Sequence, residues 1–337
     1  MSTPTSAFES GRYRIDALAV APGGEHVALA ASALTGDVWD GRIHVLPAAA
    51  LPCAVVPSDA CTIATRCGNA DVAWASARVL VSANDFGDLL FWNAPTAHAT
   101  DDAPPAEPVR VLGEHTGVVS CVRASADGET LASGGHDGTA RVWRTNAVAP
   151  ESLRTLSHIS PSHTWRKLAV HAVAFSGAGH CVATAADDGV ARLWDVRAEK
   201  PLVCAAPPED SAVLSALALP ADDGRLLVGT EAGEIVAIDW RQPRGAVARA
   251  AAHTSGVRAL AASEAGLLAC ASDDGTVSCL HTSSLGVAAE ITGAHDAAAT
   301  AAGWLGPRNK GPRAGAVLLT GGWDGRLLAR TVPLPPS

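Results

Sequence analysis

The sequence repeats one short pattern seven times, and this repeat limits the possible folds more than any other feature. In each copy a β-rich run ends at a turn with glycine and a second β-rich run follows, as in Leu131–Trp143 (LASGGHDGTARVW). Asp-Gly is a strong hairpin signal because glycine accepts a positive φ and Asp tolerates the left-handed region. The turn glycines lie 42 to 51 residues apart, at Gly41, Gly87, Gly138, Gly189, Gly233, Gly275 and Gly325. Repeats of this length, each forming a four-stranded blade, predict an all-β, seven-bladed β-propeller.

The repeat spacing predicts one domain over residues 1–337. Only Pro333–Ser337 follow the last predicted strand, so the last blade lacks a fourth strand, and an open edge there is an aggregation hazard. We therefore expect the N-terminal segment, around 8–14, to complete the last blade and close the ring. The predicted blades cover residues 15–52, 53–93, 109–145, 153–197, 201–241, 246–283 and 287–332.

Composition narrows the class of protein. The formal net charge of −9 and pI of about 5.7 argue against direct nucleic-acid binding and favour basic partners. The eight cysteines form no C-x-x-C pair, and the sequence has no secretory signal pattern and no apolar run long enough to cross a membrane. We expect reduced, buried cysteines and a protein of the cytoplasm and nucleus, without a membrane partner.

Blades 3 and 4 carry residues that resemble the WD-repeat family most closely. In that family a buried hydrogen-bond network joins a His, a Ser or Thr, a turn Asp and a Trp. Blade 3 matches with His115, Ser133, Asp137 and Trp143. Blade 4 offers Thr184, Asp188 and Trp194, with His163 as a displaced partner.

The same residues are better explained as a structural network than as a catalytic site. A His beside an Asp and a Ser suggests a catalytic triad, but the pattern recurs from blade to blade, which is typical of a structural network. Blades 6 and 7 keep the His and Asp and lose the Trp. The sequence also has no phosphate-binding loop, no H-E-x-x-H and no G-x-S-x-G motif. We therefore expect no enzyme activity, no catalytic residue, no cofactor and no metal.

Four longer segments resemble the WD-repeat subunits of the methylosome. They occur in the same order, and the similarity runs from about Tyr13 to the C-terminus: Leu29–Leu46, Gly68–Trp92, Leu193–Pro201 and Thr320–Pro335. The resemblance implies a non-catalytic subunit that binds a type II enzyme like protein arginine methyltransferase 5. It also implies that the subunit helps present basic Arg/Gly-rich substrates, such as histones and the Sm proteins of spliceosomal particles, for symmetric dimethylation.

Trp39 is the residue that we expect to contact the methyltransferase. It stands directly before Asp40-Gly41, which the pattern interprets as a hairpin turn, and the family inserts a Trp at this position into the enzyme. Tryptophan is enriched at the sites that dominate binding energy. Arg42 and Asp37, its neighbours, are further partner-binding residues in this hypothesis, and packing of Trp39 on its own blade is the alternative.

Other functions remain open at this stage. Trp194-Asp195-Val196-Arg197 is similar to the W-D-x-R box with which substrate receptors of cullin-RING ubiquitin ligases meet their adaptor, although an ordinary strand end with a solvated Arg197 is the preferred interpretation, because the motif is short. A generic WD-repeat scaffold is a third interpretation. The basic loop 306–315 is either a solvated insertion or a contact for an acidic surface.

Overall fold

The structure is a computed structural model, and it forms a ring of seven four-stranded antiparallel sheets. This confirms the seven-bladed propeller that the repeat predicts. The residues that the structure describes are 5–10, 12–35, 38–51, 61–94, 107–145, 151–159, 166–177, 179–196, 201–205, 214–220, 224–241, 246–306 and 315–333.

The first four blades follow one another along the chain, each with its strands in sequence order. Blade 1 consists of β2 Arg14–Val20, β3 His26–Thr35, β4 Val38–Pro47 and β5 Cys61–Thr65. Blade 2 consists of β6 Asn69–Ser76, β7 Val79–Asn84, β8 Leu89–Asn93 and β9 Arg110–Leu112. Blade 3 consists of β10 Val119–Ala124, β11 Thr130–Gly135, β12 Thr139–Arg144 and β13 Glu151–Ser157. Blade 4 consists of β14 Val170–Phe175, β15 Cys181–Ala186, β16 Ala191–Asp195 and β17 Pro201–Ala205.

The last blade joins the two ends of the chain. Blade 5 consists of β18 Leu214–Ala218, β19 Arg225–Thr230, β20 Glu234–Asp239 and β21 Ala246–Ala251. Blade 6 consists of β22 Val257–Ala262, β23 Leu267–Ser272, β24 Val277–His281 and β25 Val287–Ile291. Blade 7 consists of β26 Ala299–Leu305, β27 Gly315–Gly322, β28 Arg326–Pro333 and the N-terminal β1 Thr5–Glu9. Closure by an N-terminal strand is thus confirmed, but that strand ends at Glu9, and Arg14 already begins blade 1.

The sheets begin and end one strand later than the sequence predicts. The predicted range 53–93 starts with β5, which pairs with β4 of blade 1, and it omits β9, which pairs with β8. The same shift recurs around the ring, down to β25, which the range 287–332 includes although it pairs with β24 of blade 6. The cause is that outer strands lie after a variable loop, so only their hydrogen bonds show which sheet they join.

The core is divided among the interfaces between neighbouring blades. Each neighbouring pair shares one cluster of buried apolar side chains, so seven clusters surround the ring. The second strand of each blade is buried on both faces, as in β11 and β23. This explains the small and branched residues of these strands, because each blade is sandwiched between two others.

A β-bulge in the first strand of every blade shapes the central channel. The pairing register shifts around residues 16, 70, 120, 171, 215, 258 and 300. A bulge re-aims the extra side chain, and here the channel is lined by Asp16, Ala70, Ser120, His171, Arg258 and Thr300. The innermost strands therefore present polar groups to the channel although their sequences are mostly apolar.

Candidate functional site: the turn face and the channel mouth

The blade 3 network is a directed chain of hydrogen bonds at the face that carries the Asp-Gly turns. The indole N–H of Trp143 donates to Ser133 Oγ over 2.9 Å, and this hydroxyl lies 2.8 Å from His115 Nε2. His115 Nδ1 lies 3.2 Å from the Asp137 carboxylate. Burial lowers the pKa of His115 despite the nearby carboxylate, so the ring is neutral and its Nε2 accepts from Ser133. Every partner is buried, and the network clamps the turn to its blade.

Blade 4 repeats the chain with a different histidine. His158 Nε2 and the Trp194 indole N–H each lie 2.8 Å from Thr184 Oγ1. His163 lies outside the described residues, so the partner is the histidine that directly follows the outer strand of blade 3. Burial is the main reason that the pKa of His158 falls to about 4. Asp188 is not bound to that histidine, because Arg192 pairs with it.

The other blades keep parts of the network. Blade 7 keeps His295, 3.0 Å from Asp324 and 3.0 Å from Thr320. Blade 6 keeps His253, whose Nδ1 lies 2.8 Å from Thr276 Oγ1. The fully buried Nε2 of His253 finds no partner in the described chain. Its blade has lost both residues that would complete the chain, with Cys270 at the Ser or Thr position and Leu280 at the Trp position.

Blade 2 keeps only the Ser and Trp pair. The Trp92 indole N–H donates to Ser82 Oγ over 3.0 Å. Phe86 occupies the Asp position, directly before Gly87, and its side chain is exposed. The turn glycine itself is retained because Gly87 has a φ of +94°, in the left-handed region.

Blade 1 departs from the sequence prediction, because Asp40-Gly41 is not a turn. Strands β3 and β4 pair without interruption from His26↔Pro47 to Thr35↔Val38. Asp40 and Gly41 are strand residues opposite Ala33 and Ser32. Gly41 is required for another reason: a Cβ there would lie 2.0 Å from the Cys67 carbonyl oxygen.

The longer pairing creates a two-stranded ribbon that projects beyond its sheet. We call residues 33–35 and 38–40 the blade 1 ribbon. The neighbouring strands end before it, since β2 pairs only up to Ser32 and β5 only from Gly41. Two large apolar side chains on the ribbon form a cross-strand pair, Leu34 at 60% exposure and Trp39 at 45%. Trp39 thus lies next to the end of the pairing between β3 and β4, and Asp40 and Gly41 after it are strand residues; Asp37 lies outside the described residues.

Contacts within the chain hold the base of the ribbon. Tyr13 is buried, and its hydroxyl donates to the Asp40 carboxylate. The Arg42 guanidinium lies 4.7 Å from the centre of the Tyr13 ring, a cation–π contact. Arg12 adds an ion pair to Asp40 at 3.5 Å. The structure therefore places Arg42 in the support of the ribbon, and it leaves Leu34 and Trp39 as the projecting apolar pair.

The ribbon stands at the rim of the central cavity. This cavity, about 710 Å³ in volume, lies at the mouth of the channel on the turn face. Besides Trp39 it is lined by Trp323 of the blade 7 turn, which is 44% exposed. Acidic and basic groups complete the lining, with Asp16, Asp85, Glu231, His136, His171 and Arg258. The sequence did not predict this cavity, because its lining residues come from every blade. The one signal in the sequence was the repeated turn position that Asp85, Glu231 and Trp323 share.

The remaining predicted features lie partly inside and partly outside the described residues. Trp194 is buried in the blade 4 network, and Arg197 of the W-D-x-R segment lies outside the described residues, as do residues 307–314 of the basic loop. No group of three metal-ligating side chains occurs among the described residues. The described residues also contain no helix with the length and apolar character of a membrane span.

A family model and individual relatives match this chain. The model for the WD domain, G-beta repeat, matches residues 106–144, 151–195 and 247–279. Methylosome protein WDR77 of Xenopus laevis is 26% identical over 314 residues, which cover 90% of this chain and 86% of that protein.

Two further relatives match a shorter part. Striatin of Mus musculus is 32% identical over 131 residues, 35% of this chain and 16% of that protein. Nuclear distribution protein PAC1 of Arthroderma otae is 32% identical over 137 residues, 36% of this chain and 28% of that protein. The chain thus spans most of the methylosome protein and only a small part of these two.

Proposed function

The chain is a WD-repeat β-propeller similar to a methylosome protein, and we propose that it is the non-catalytic scaffold subunit of a methylosome. In this proposal it binds a type II protein arginine methyltransferase and helps present Arg/Gly-rich substrates such as histones and Sm proteins, in the cytoplasm and nucleus. The observation that carries the proposal is the blade 1 ribbon, where Leu34 and Trp39 project from the propeller.

The ribbon has the features of a docking element. A propeller does not need it, because the other blades end their second and third strands at short turns, as between β11 and β12. Its two apolar side chains sit on a backbone that continuous pairing and the Tyr13 contacts hold in place. A preorganised Trp loses little conformational entropy on binding, so most of its buried area contributes to affinity. The family resemblance supplies the partner, the methyltransferase.

Affinity purification tests the proposal. The tagged chain is isolated from its native cell, and the eluate is assayed for symmetric arginine dimethylation. We expect co-purification of the methyltransferase, and we expect Trp39→Ala to weaken the complex by roughly 2 kcal/mol or more without unfolding the chain. Trp240→Ala is the matched control, since Trp240 is also partly exposed, at 36%, but lies beyond the far end of β20, away from the ribbon.

Two results would contradict the proposal. One is recovery of the chain without methyltransferase activity, and recovery with a cullin adaptor would support the ubiquitin-ligase alternative instead. The other is equal loss of the complex in the Trp39→Ala and Trp240→Ala variants, which would mean that the ribbon is not the contact.

A further inference from the structure

We infer that the channel mouth binds the guanidinium group of an arginine side chain from a flexible basic peptide, between Trp323 and the Asp85 carboxylate. This inference rests on the proposed function for its setting, because it names where a substrate segment lies while the ribbon holds the enzyme. The binding itself involves only this chain and the peptide.

One turn position explains the charge of the mouth. In blades 2 to 7, the residues directly after the second strand are Asp85, His136, Asp187, Glu231, Asp273 and Trp323. Four of these six are acidic, and Asp85, His136, Glu231 and Trp323 line the cavity. Two of the carboxylates have partners on channel-lining bulge residues: His171 Nε2 lies 2.5 Å from the Asp187 carboxylate, and Arg258 forms an ion pair with Asp273, with Nε at 2.8 Å.

The other two carboxylates are available to a ligand. Asp85 and Glu231 are exposed, line the cavity, and form no hydrogen bond or ion pair within the described part of the chain. They belong to blades 2 and 5, on opposite sides of the ring, so a chain that crosses the mouth passes both. Carboxylates in a concave site attract cations more strongly than the same groups on an open surface, and His136 near Asp85 and Arg258 near Glu231 offset part of this attraction.

Trp323 supplies an aromatic wall that is already in position. The Arg14 guanidinium of blade 1 lies 5.1 Å from its ring centre, a contact which shows that the ring accepts a guanidinium. Asp16 and Asp85 line the same cavity as Trp323, so carboxylates share the cavity with the ring. A planar guanidinium can stack on the ring and donate hydrogen bonds to a carboxylate at the same time, which an ammonium does less well.

The cavity has room for such a ligand. At about 710 Å³ it is larger than one side chain and can take an arginine with its flanking backbone. A peptide with small residues on both sides of the arginine suits the site, because the ribbon and the turns of blades 2 and 7 border it. A glycine- and arginine-rich segment therefore fits both its shape and its charge.

A titration with the full chain alone tests this inference. A labelled peptide of Gly-Arg repeats and a matched peptide of Gly-Lys repeats are compared by fluorescence anisotropy at low and physiological salt. We expect the Arg peptide to bind several-fold more tightly, with a residual preference at physiological salt. Trp323→Ala and Asp85→Asn are each expected to weaken its binding by about five- to tenfold. Circular dichroism confirms that the variants are folded.

The controls separate this site from overall charge. Trp240→Ala and Glu264→Gln change an exposed tryptophan and an exposed carboxylate away from the mouth, and we expect both to bind like the wild type. Equal affinity for the Arg and Lys peptides, or binding that is insensitive to Trp323→Ala and Asp85→Asn, would overturn the inference. Absence of binding at low salt would also overturn it.

The outcome is independent of the test of the proposed function. If the Arg peptide binds at the mouth but no methyltransferase co-purifies, the proposed function fails and the arginine site stands. If Trp323→Ala keeps the methyltransferase and the wild-type chain binds no peptide, the arginine site fails and the scaffold function stands.

Discussion

Ser133 connects two buried groups, so removing its hydroxyl tests whether the networks stabilise the blades. In Ser133→Ala, the Trp143 indole N–H and His115 Nε2 both lose their partner. The Trp143 side chain is fully buried and that of His115 is 1% exposed, so water does not replace the hydroxyl. Leaving a buried polar group without a partner costs about 1–3 kcal/mol. Two such groups give an expected loss of about 2–6 kcal/mol in the free energy of unfolding.

Blade 2 offers a matched comparison. Ser82 accepts from the Trp92 indole N–H but has no histidine partner, so Ser82→Ala orphans one group. We expect a loss of about 1–3 kcal/mol, roughly half of that in Ser133→Ala. Both substitutions remove the same atom from the same strand position, and both serines are fully buried, so packing losses cancel in the comparison.

Differential scanning calorimetry at a fixed scan rate measures both variants. For a chain of this length, the expected fall in melting temperature is about 3–7 °C for Ser133→Ala and about half of that for Ser82→Ala. An equal fall in the two variants, or a fall below about 1 °C in Ser133→Ala, would refute the reasoning. The first result would mean that only the Trp bond matters, and the second that the network contributes little.

Three further predictions follow from single features. Cys270→Ser gives the unpartnered His253 Nε2 a donor, and we expect calorimetry to show stabilisation of about 1 kcal/mol; a lower melting temperature would show that the hydroxyl does not reach the ring. Gly41→Ala forces a Cβ against the Cys67 carbonyl, and we expect destabilisation of about 1–3 kcal/mol in denaturant unfolding; an unchanged midpoint would contradict the close approach. Burial raises the pKa of Asp16 from 3.8 to about 7, so between these two values the native state holds a proton that the unfolded state has released, and stability should fall as pH rises towards 7 and level off above it. Asp16→Asn should flatten this decline between about pH 4.5 and 7 in melting experiments, and an unchanged pH profile would contradict it.

Short-range information in the sequence was sufficient for the repeat architecture. The turn glycines, the alternation after them and the missing last strand predict seven blades and an N-terminal closing strand, because each depends on residues within one repeat or on a count of strands. The His115, Ser133, Asp137 and Trp143 positions were also visible, since the network occupies fixed offsets from the Asp-Gly turn.

Pairing between strands was harder to infer. Asp40-Gly41 has the composition of a turn, but β3 and β4, with ten residues each, pair through it, because the hydrogen bonds of the whole ladder outweigh the local turn preference of two residues. The histidine of the blade 4 network is His158 and not the predicted His163, because the network depends on where the histidine lies in space after the outer strand. The predicted blade boundaries differ from the observed ones for the same reason, because only hydrogen bonds show which sheet an outer strand joins.

The sequence by itself determined the fold class, the blade count, the closure of the ring and the identity of Trp39 as an unusual residue. Only the tertiary structure decided that Trp39 and Leu34 project together, that bulges turn polar side chains into the channel, and that Asp85, Glu231 and Trp323 surround one cavity. The physical reason is distance along the chain. Turns and repeats are local, whereas the channel mouth exists only after ring closure brings equivalent positions of different blades around a common axis.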